Sequence, residues 1–332
     1  IIAEGYFRSS SIDLGNGVSL SNINNNGSSD GMIIKYSAEG KCEWAKGIGG
    51  SRDDEINSVA ETSDGGIIAG GDFYSGNIDL GNGVSLSSKG SSDGMLIKFN
   101  SSGECEWAKG IGGSDRNEIT SVAETSDGGI IAGGEFDSSS IDLGNGVSLT
   151  NKGNEDGMII KYSAEGECEW AKGIGGSWRD RIQSVAETSD GGIIAGGKIQ
   201  SYVDLGNGVS LSYKGSYDGM IIKYNAEGEC EWAKVIGGSE QDEINSVAET
   251  SDGGIIAGGY FYSSSIDLGN RVSLSNKGAT DGMIIKYNSS GECEWAKVIG
   301  GSGIEQINSV VETSDGGIVA GGYLDSSSID LG

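Results

Sequence analysis

The chain has 332 residues, with 61 glycines, no proline and no histidine, and a formal charge of −27. A polyanion of this kind repels phosphate backbones and anionic lipid, which argues against a nucleic-acid partner. No apolar run approaches the roughly 18 residues of a membrane-spanning helix, so no membrane insertion is expected, and the missing histidine removes the commonest general base and metal ligand.

The chain opens Ile1-Ile2-Ala3, without an initiator Met or a signal-peptide pattern, and so reads as processed, truncated or a window on something longer. The rest of the chain is repetitive. Cys-Glu-Trp-Ala-Lys recurs with its cysteine at Cys42, Cys105, Cys168, Cys230 and Cys293, a period of about 63 residues. The copies run approximately 1–66, 67–129, 130–192, 193–254 and 255–317, with a partial repeat over 318–332, in a single repeat domain 1–332.

The unit that begins at Ile56 is the clearest. Ile56–Thr62 is a short apolar/polar run (strand A), and Ser63-Asp64-Gly65-Gly66 is a hairpin signal. Ile67–Phe73 follows as strand B. An insertion then places Ile78–Leu80 and Val84–Leu86 around Gly81-Asn82-Gly83, which predicts a small hairpin. Asp93–Phe99 is strand C, and Glu104–Ile111 is strand D. Four antiparallel strands per repeat predict an all-β fold, a β-propeller of four-stranded blades, each with an extra B–C hairpin. Strands B and C are apolar on both faces, as expected of strands between neighbouring blades. Trp44, Trp107, Trp170, Trp232 and Trp295 read as fillers of the wedge between blades. The five cysteines occupy one equivalent position, too far apart for disulfides, and read as buried thiols.

Three segments, Asp-Gly-Met-Ile-Ile-Lys-Tyr, Gly-Glu-Cys-Glu-Trp-Ala-Lys-Gly-Ile-Gly-Gly and Ser-Asp-Gly-Gly-Ile-Ile-Ala-Gly-Gly, resemble the bacterial seven-bladed β-propeller repeat group over essentially the whole chain. The resemblance implies a propeller and an extracellular or cell-surface setting, and supplies no catalytic residues.

Five copies predict five blades. The last A strand, Ile307–Thr313, would complete the first blade, which lacks its own. Yet Gly317–Tyr323 and Ser326–Gly332 duplicate Ile1–Tyr6 and Ser9–Gly15, and two B strands cannot fill one slot. The chain is then an excerpt of a longer array, or its last A–B hairpin sits elsewhere and supports self-association through terminal strands.

The copies differ mainly in the D–A loop (Arg52, Asp115, Trp178, Glu240, Gly303) and at the end of strand B (Arg8, Tyr74, Asp137, Gln200, Tyr262, Asp325). The approach to strand C varies too, with Asn22–Asn26 extending the first copy and Tyr213 and Tyr217 marking the fourth. Both connections emerge at one end of an up-and-down blade. Free drift of exposed loops is one reading. The other is a ligand-binding face for protein or carbohydrate, with Trp178, Arg52, Asp115, Glu240, Tyr74, Gln200 and Tyr262 as its candidates. Glu61, Glu124, Glu187, Glu249 and Glu312 end successive A strands. Such a set of carboxylates could hold calcium, although bonding to solvent or nearby backbone is the simpler reading. No other cofactor is implied and no nucleophile–base pair stands out, so the expected function is a non-enzymatic binding scaffold, with assembly into larger oligomers as the alternative.

Overall fold

A computed structural model describes residues 1–23 and 27–329. The Asn22–Asn26 extension and the duplicated C-terminal segment therefore fall partly outside the described residues. All regular structure among the described residues is β. The second blade contains strands A (Asp54–Glu61), B (Ile67–Phe73), C (Asp93–Phe99) and D (Cys105–Ile111), hydrogen-bonded in the order D-C-B-A. The third (Asn117–Glu124, Ile130–Phe136, Asp156–Tyr162, Cys168–Ile174), fourth (Arg181–Glu187, Ile193–Ile199, Asp218–Tyr224, Cys230–Ile236) and fifth (Asp242–Glu249, Ile255–Phe261, Asp281–Tyr287, Cys293–Ile299) repeat it. The fold is a β-propeller architecture in its strand order and in its blade-on-blade packing.

The first sheet has three strands, B (Ile2–Phe7), C (Asp30–Tyr36) and D (Cys42–Ile48). The A strand expected to complete it, Glu305–Glu312, instead forms a two-stranded sheet with Ile318–Leu324. The chain divides into two compact units, 1–151 with 159–172 and 152–158 with 173–332, so the division falls within the third blade.

Within each unit, strand A of one blade packs against strands A and B of the blade before it. Every residue of strands B and C in the second blade is buried, which explains their unbroken apolar runs. Each fully buried Ile there contributes roughly 1.5–3 kcal/mol. Neighbouring A strands are also stitched by hydrogen bonds. The Val122 amide donates to Ser58 Oγ at 3.0 Å, Val247 to Ser184 at 3.1 Å and Val310 to Ser246 at 3.2 Å.

The repeated Trp spans blades. Trp44 Nε1 donates to the Ser101 carbonyl at 3.2 Å, Trp107 to Ala164 at 3.1 Å and Trp232 to Ser289 at 3.1 Å, each in the C–D turn of the following blade. The turn must offer a flat face. Gly103 has φ +77°, and a Cβ there would lie 2.9 Å from Trp44. Among the described residues no C–D turn covers Trp295, which is 37% exposed. The five cysteines are buried and free, and Cys42 Sγ contacts the Trp44 carbonyl at 3.6 Å. Burial, with the adjacent Glu106 or Glu169, pushes the Cys105 and Cys168 thiols up to about 11, so they stay protonated and unreactive near neutrality.

The inserted hairpin also forms as expected, with Asn77–Gly81 pairing Val84–Ser87. Asn82 (φ 52°) and Gly83 (φ 78°) supply the left-handed backbone of its tight turn. Ile78 and Leu86 are buried, and Asn82 Nδ2 reaches the Cys105 carbonyl at 3.4 Å, which holds the hairpin on its own D strand.

Candidate functional site: the D–A and B–C loop surface

A polar residue at the start of each A strand, or just before it, closes a clasp on the loop end of its blade. In the second blade, Asp54 Oδ2 accepts hydrogen bonds from the Gly50 amide (2.9 Å) and Ser75 Oγ (2.6 Å). Its Oδ1 accepts the Tyr74 and Ser75 amides, both at 3.1 Å. Ser75 Oγ in turn accepts the Arg52 amide at 3.0 Å. The same serine contact holds Asp115 to Ser138 at 3.0 Å, Trp178 to Ser201 at 3.1 Å, Glu240 to Ser263 at 3.0 Å and Gly303 to Ser326 at 2.8 Å. One backbone anchor therefore presents five different residues at equivalent points. The buried head of the clasp is Asp54, Asn117, Asp180, Asp242 or Glu305. Its need for strand-like backbone explains why strand A starts two residues before the expected Ile56.

Arg52 and Tyr74 line a cavity of about 370 Å³ with Lys89. Trp178 lines another of about 320 Å³. Asp115 and Glu240 are exposed at the tips of their own loops. The Gln200 amide is bonded to Asp180 Oδ1 at 2.7 Å, and the exposed Tyr262 packs edge-on to Tyr260 with ring centroids 6.0 Å apart. The sequence candidates thus lie at the loop end of their blades, with Arg52 and Tyr74 in one hollow and Trp178 in another, rather than in one common site.

The opposite end is uniform for a structural reason. In the A–B turn, Asp64 Oδ1 accepts the Gly66 amide at 2.9 Å and Thr62 Oγ1 at 2.5 Å, while Oδ2 pairs with the buried Lys98 ammonium at 3.0 Å. These bonds hold the Asp64 carboxyl down at about 2. Asp127–Lys161, Asp190–Lys223 and Asp252–Lys286 repeat the pair.

The repeated glutamates stitch blades within each unit. Glu124 accepts the Ser63 amide at 2.7 Å and its hydroxyl at 3.0 Å, Glu249 does the same for Ser189, and Glu312 accepts the Ser251 amide at 2.6 Å. Glu61 lies 3.6 Å from Lys35. Glu187 has a partner as well. Among the described residues no group of three or more Cys, Asp or Glu side chains converges as a metal cage.

Sequence reasoning missed a buried acidic cluster in the first unit. Glu118 and Glu135 share the Arg116 guanidinium, with Glu135 Oε1 at 2.9 Å. Asp72, 5% exposed, lies beside Glu118 and accepts the Asn57 side-chain amide at 3.4 Å. Burial, then repulsion from Glu118 and Glu55, pushes the Asp72 carboxyl up to about 7. The equivalent register in the second unit carries Lys198 and Tyr260, and there Glu243 accepts Gln183 Nε2 at 2.6 Å and the Tyr260 hydroxyl at 2.7 Å. The signal was present as variation one residue before the end of strand B: Asp72, Glu135, Lys198, Tyr260, Tyr323.

No family model matches the chain. Over 165 residues it is 24% identical to the regulatory protein FlaEY of Caulobacter vibrioides, covering 48% of this chain and 17% of that protein. Over 213 residues it is 27% identical to an uncharacterized WD repeat-containing protein of Acanthamoeba polyphaga mimivirus, covering 54% of this chain and 15% of that protein. The chain thus spans less than a fifth of the curated relatives it matches. Among solved structures, the Neurospora crassa Pan2 WD40 domain superposes at a TM-score of 0.44 and 10% identity, over 88% of this chain and 68% of that one. The repeats of this chain are propeller-like by their strand order and blade packing.

Proposed function

We propose that this protein is a non-enzymatic, secreted or cell-surface scaffold that binds a protein or glycan through its D–A and B–C loops. The observation that carries this reading is the clasp. It fixes one backbone position in every copy, yet leaves Arg52, Asp115, Trp178 and Glu240 pointing away as four chemically distinct side chains. The other end of the blade is uniform because its Asp and Lys are structurally engaged, so variety gathers where the fold makes no demand on the side chain. The extracellular setting is supported by the acidic charge and the sequence resemblance. The test is a combined glycan and peptide array probed with the wild type and with Arg52→Ala, Trp178→Ala and Glu240→Ala. At least one variant should lose about tenfold or more in affinity for a ligand the wild type retains, with an unchanged melting temperature. Ligands bound equally by all three variants would remove the loop surface from the function.

A second reading is assembly through the last hairpin, favoured by its exposure. Val319, Tyr323 and Leu324 are each more than half exposed, and a cavity of about 420 Å³ opens among Ile284, Ile307, Ile318 and Leu324. Gly258 in the fifth blade lies under Val310, where a Cβ would meet it at 2.6 Å, whereas the equivalent Gly321 has nothing within 4 Å. An uncovered strand with a free edge templates pairing. Light scattering at two protein concentrations should show a mass that grows with concentration and falls to the monomer in Val319→Lys. A monomer at both concentrations ends this reading.

A further inference from the structure

Three exposed aromatic residues, from the loop that enters the fourth blade and from its B–C connection, line one cavity. Trp178 (54% exposed) comes from the D–A loop, Tyr202 (65%) from the start of the inserted hairpin and Tyr213 (37%) from the approach to strand C. The remaining lining is Gly176, Ser177 and Ser201, so no charged side chain faces the hollow. In the other copies these positions hold no aromatic residue. The Trp178 position carries Arg52, Asp115, Glu240 or Gly303. By hairpin register the Tyr202 position carries Ser11, Asn77, Ser140 or Ser265, and the Tyr213 position Ser88, Asn151 or Asn276. Aromatic residues are 7% of the chain, so independent drift at three separate segments rarely makes all three aromatic around one blade.

The three are also held in place. The Trp178 amide is pinned to Ser201 Oγ at 3.1 Å, and its carbonyl accepts the Glu155 amide at 3.3 Å. Tyr202 pairs directly with Ser212 across the hairpin, and Tyr213 is the next residue. The hairpin register thus fixes both tyrosines relative to one another, and the clasp fixes the Trp beside them. Exposed aromatics cost hydration without stabilising the core, and a backbone already fixed by hydrogen bonds loses little entropy when a ligand covers it.

Resting on the loop-surface reading, we infer that Trp178, Tyr202 and Tyr213 form a binding site for a neutral saccharide. A pyranose ring presents a flat face of C–H bonds whose positive ends meet the negative face of an aromatic ring. Its hydroxyls find partners in Ser177 and the two phenols. The charge of −27 disfavours an anionic ligand, and a lining without charge offers nothing to neutralise one. At about 320 Å³ the hollow is at the small end of ligand cavities and fits a short stretch of oligosaccharide rather than a folded domain.

The experiment titrates the full chain with cellohexaose, maltohexaose and the hexamer of N-acetylglucosamine, by calorimetry and saturation-transfer NMR, with tetramethylammonium as the competing cation probe. At least one hexasaccharide should bind. Trp178→Ala and Tyr213→Ala should each weaken it about tenfold or more. Trp178→Phe should retain part of the affinity, Glu227→Ala, exposed in the C–D turn at the other end of the blade, should leave it unchanged, and circular dichroism should match the wild type in all four. Absence of binding by every hexasaccharide at millimolar concentration, or equal binding by Trp178→Ala, overturns the inference. Tetramethylammonium binding lost in Trp178→Ala, with no hexasaccharide bound, overturns the saccharide class and leaves the loop surface standing. Array ligands that depend on Arg52 or Glu240 but not on Trp178 remove the aromatic site and keep the loop surface. Array ligands indifferent to all of these residues remove both.

Discussion

Gly71→Ala is expected to lower the unfolding free energy by about 3 kcal/mol or more, while Gly76→Ala, five residues on, changes it by less than about 0.5 kcal/mol. Strand A bulges between Ile56 and Ser58, so its pairing with strand B slips by one residue there. The extra residue presses the Glu55 carbonyl towards strand B. A Cβ on Gly71 would lie 2.0 Å from that oxygen and 3.0 Å from the Glu55 carbonyl carbon. Both are backbone atoms in a paired strand, so neither can rotate away as a side-chain tip would. Gly134, Gly197, Gly259 and Gly322 meet the same carbonyl at 2.0 Å, which shows the constraint belongs to the blade. Gly76 has no atom within 4 Å of its Cβ position and no left-handed φ. Urea denaturation of the two variants checks the pair. Equal midpoints would mean that strand A relaxes without the bulge.

Asp72→Asn is expected to stabilise the protein at pH 8 by an amount on the order of 3–4 kcal/mol and to have little effect near pH 4. Asp72 is buried beside Glu118 and Glu55, while the Arg116 guanidinium is already committed to Glu118 and Glu135. Its folded-state pKa is raised to about 7, against the usual carboxylate value near 4 in the unfolded chain. A raised carboxyl pKa means that the folded state holds the proton more tightly. The associated stability is fully present below about pH 4 and is lost as pH rises through about 7. Asparagine keeps the shape and stays neutral throughout, so the gap between variant and wild type should open across that window. It can be read from denaturant midpoints at pH 4, 6 and 8. A gap independent of pH would show that Asp72 is not the titrating group.

The uniform parts of the repeat were legible because they are local. A tight Asn-Gly hairpin turn, a run of apolar residues buried on both faces and a Trp at a fixed period each follow from residues within one strand or turn, so strands B and C and the inserted hairpin lie where the pattern predicts them. The Asp54–Ser75 clasp was hidden because its partners are 21 residues apart and each alone looks like an ordinary loop residue. The glutamates at the ends of strand A were read in sequence both as a cation site and as backbone acceptors. The backbone contact lies on the neighbouring blade, which brings the Ser63 amide to Glu124 across 61 residues.

By itself the sequence determined the four-stranded blade, the extra hairpin, the inter-blade Trp and the end of the blade at which the copies diverge, because short-range backbone preferences and periodic burial are written residue by residue. Only the tertiary structure decided which divergent residues meet. Arg52 joins Tyr74 and Lys89, Trp178 joins Tyr202 and Tyr213, and Asp72 is trapped beside Glu118, because each set is assembled from separate segments that the packed strands bring to one place. The sequence left open whether the last A–B hairpin completes the first blade or sits elsewhere, since similar repeats offer similar pairing edges, and the structure places it in a sheet of its own.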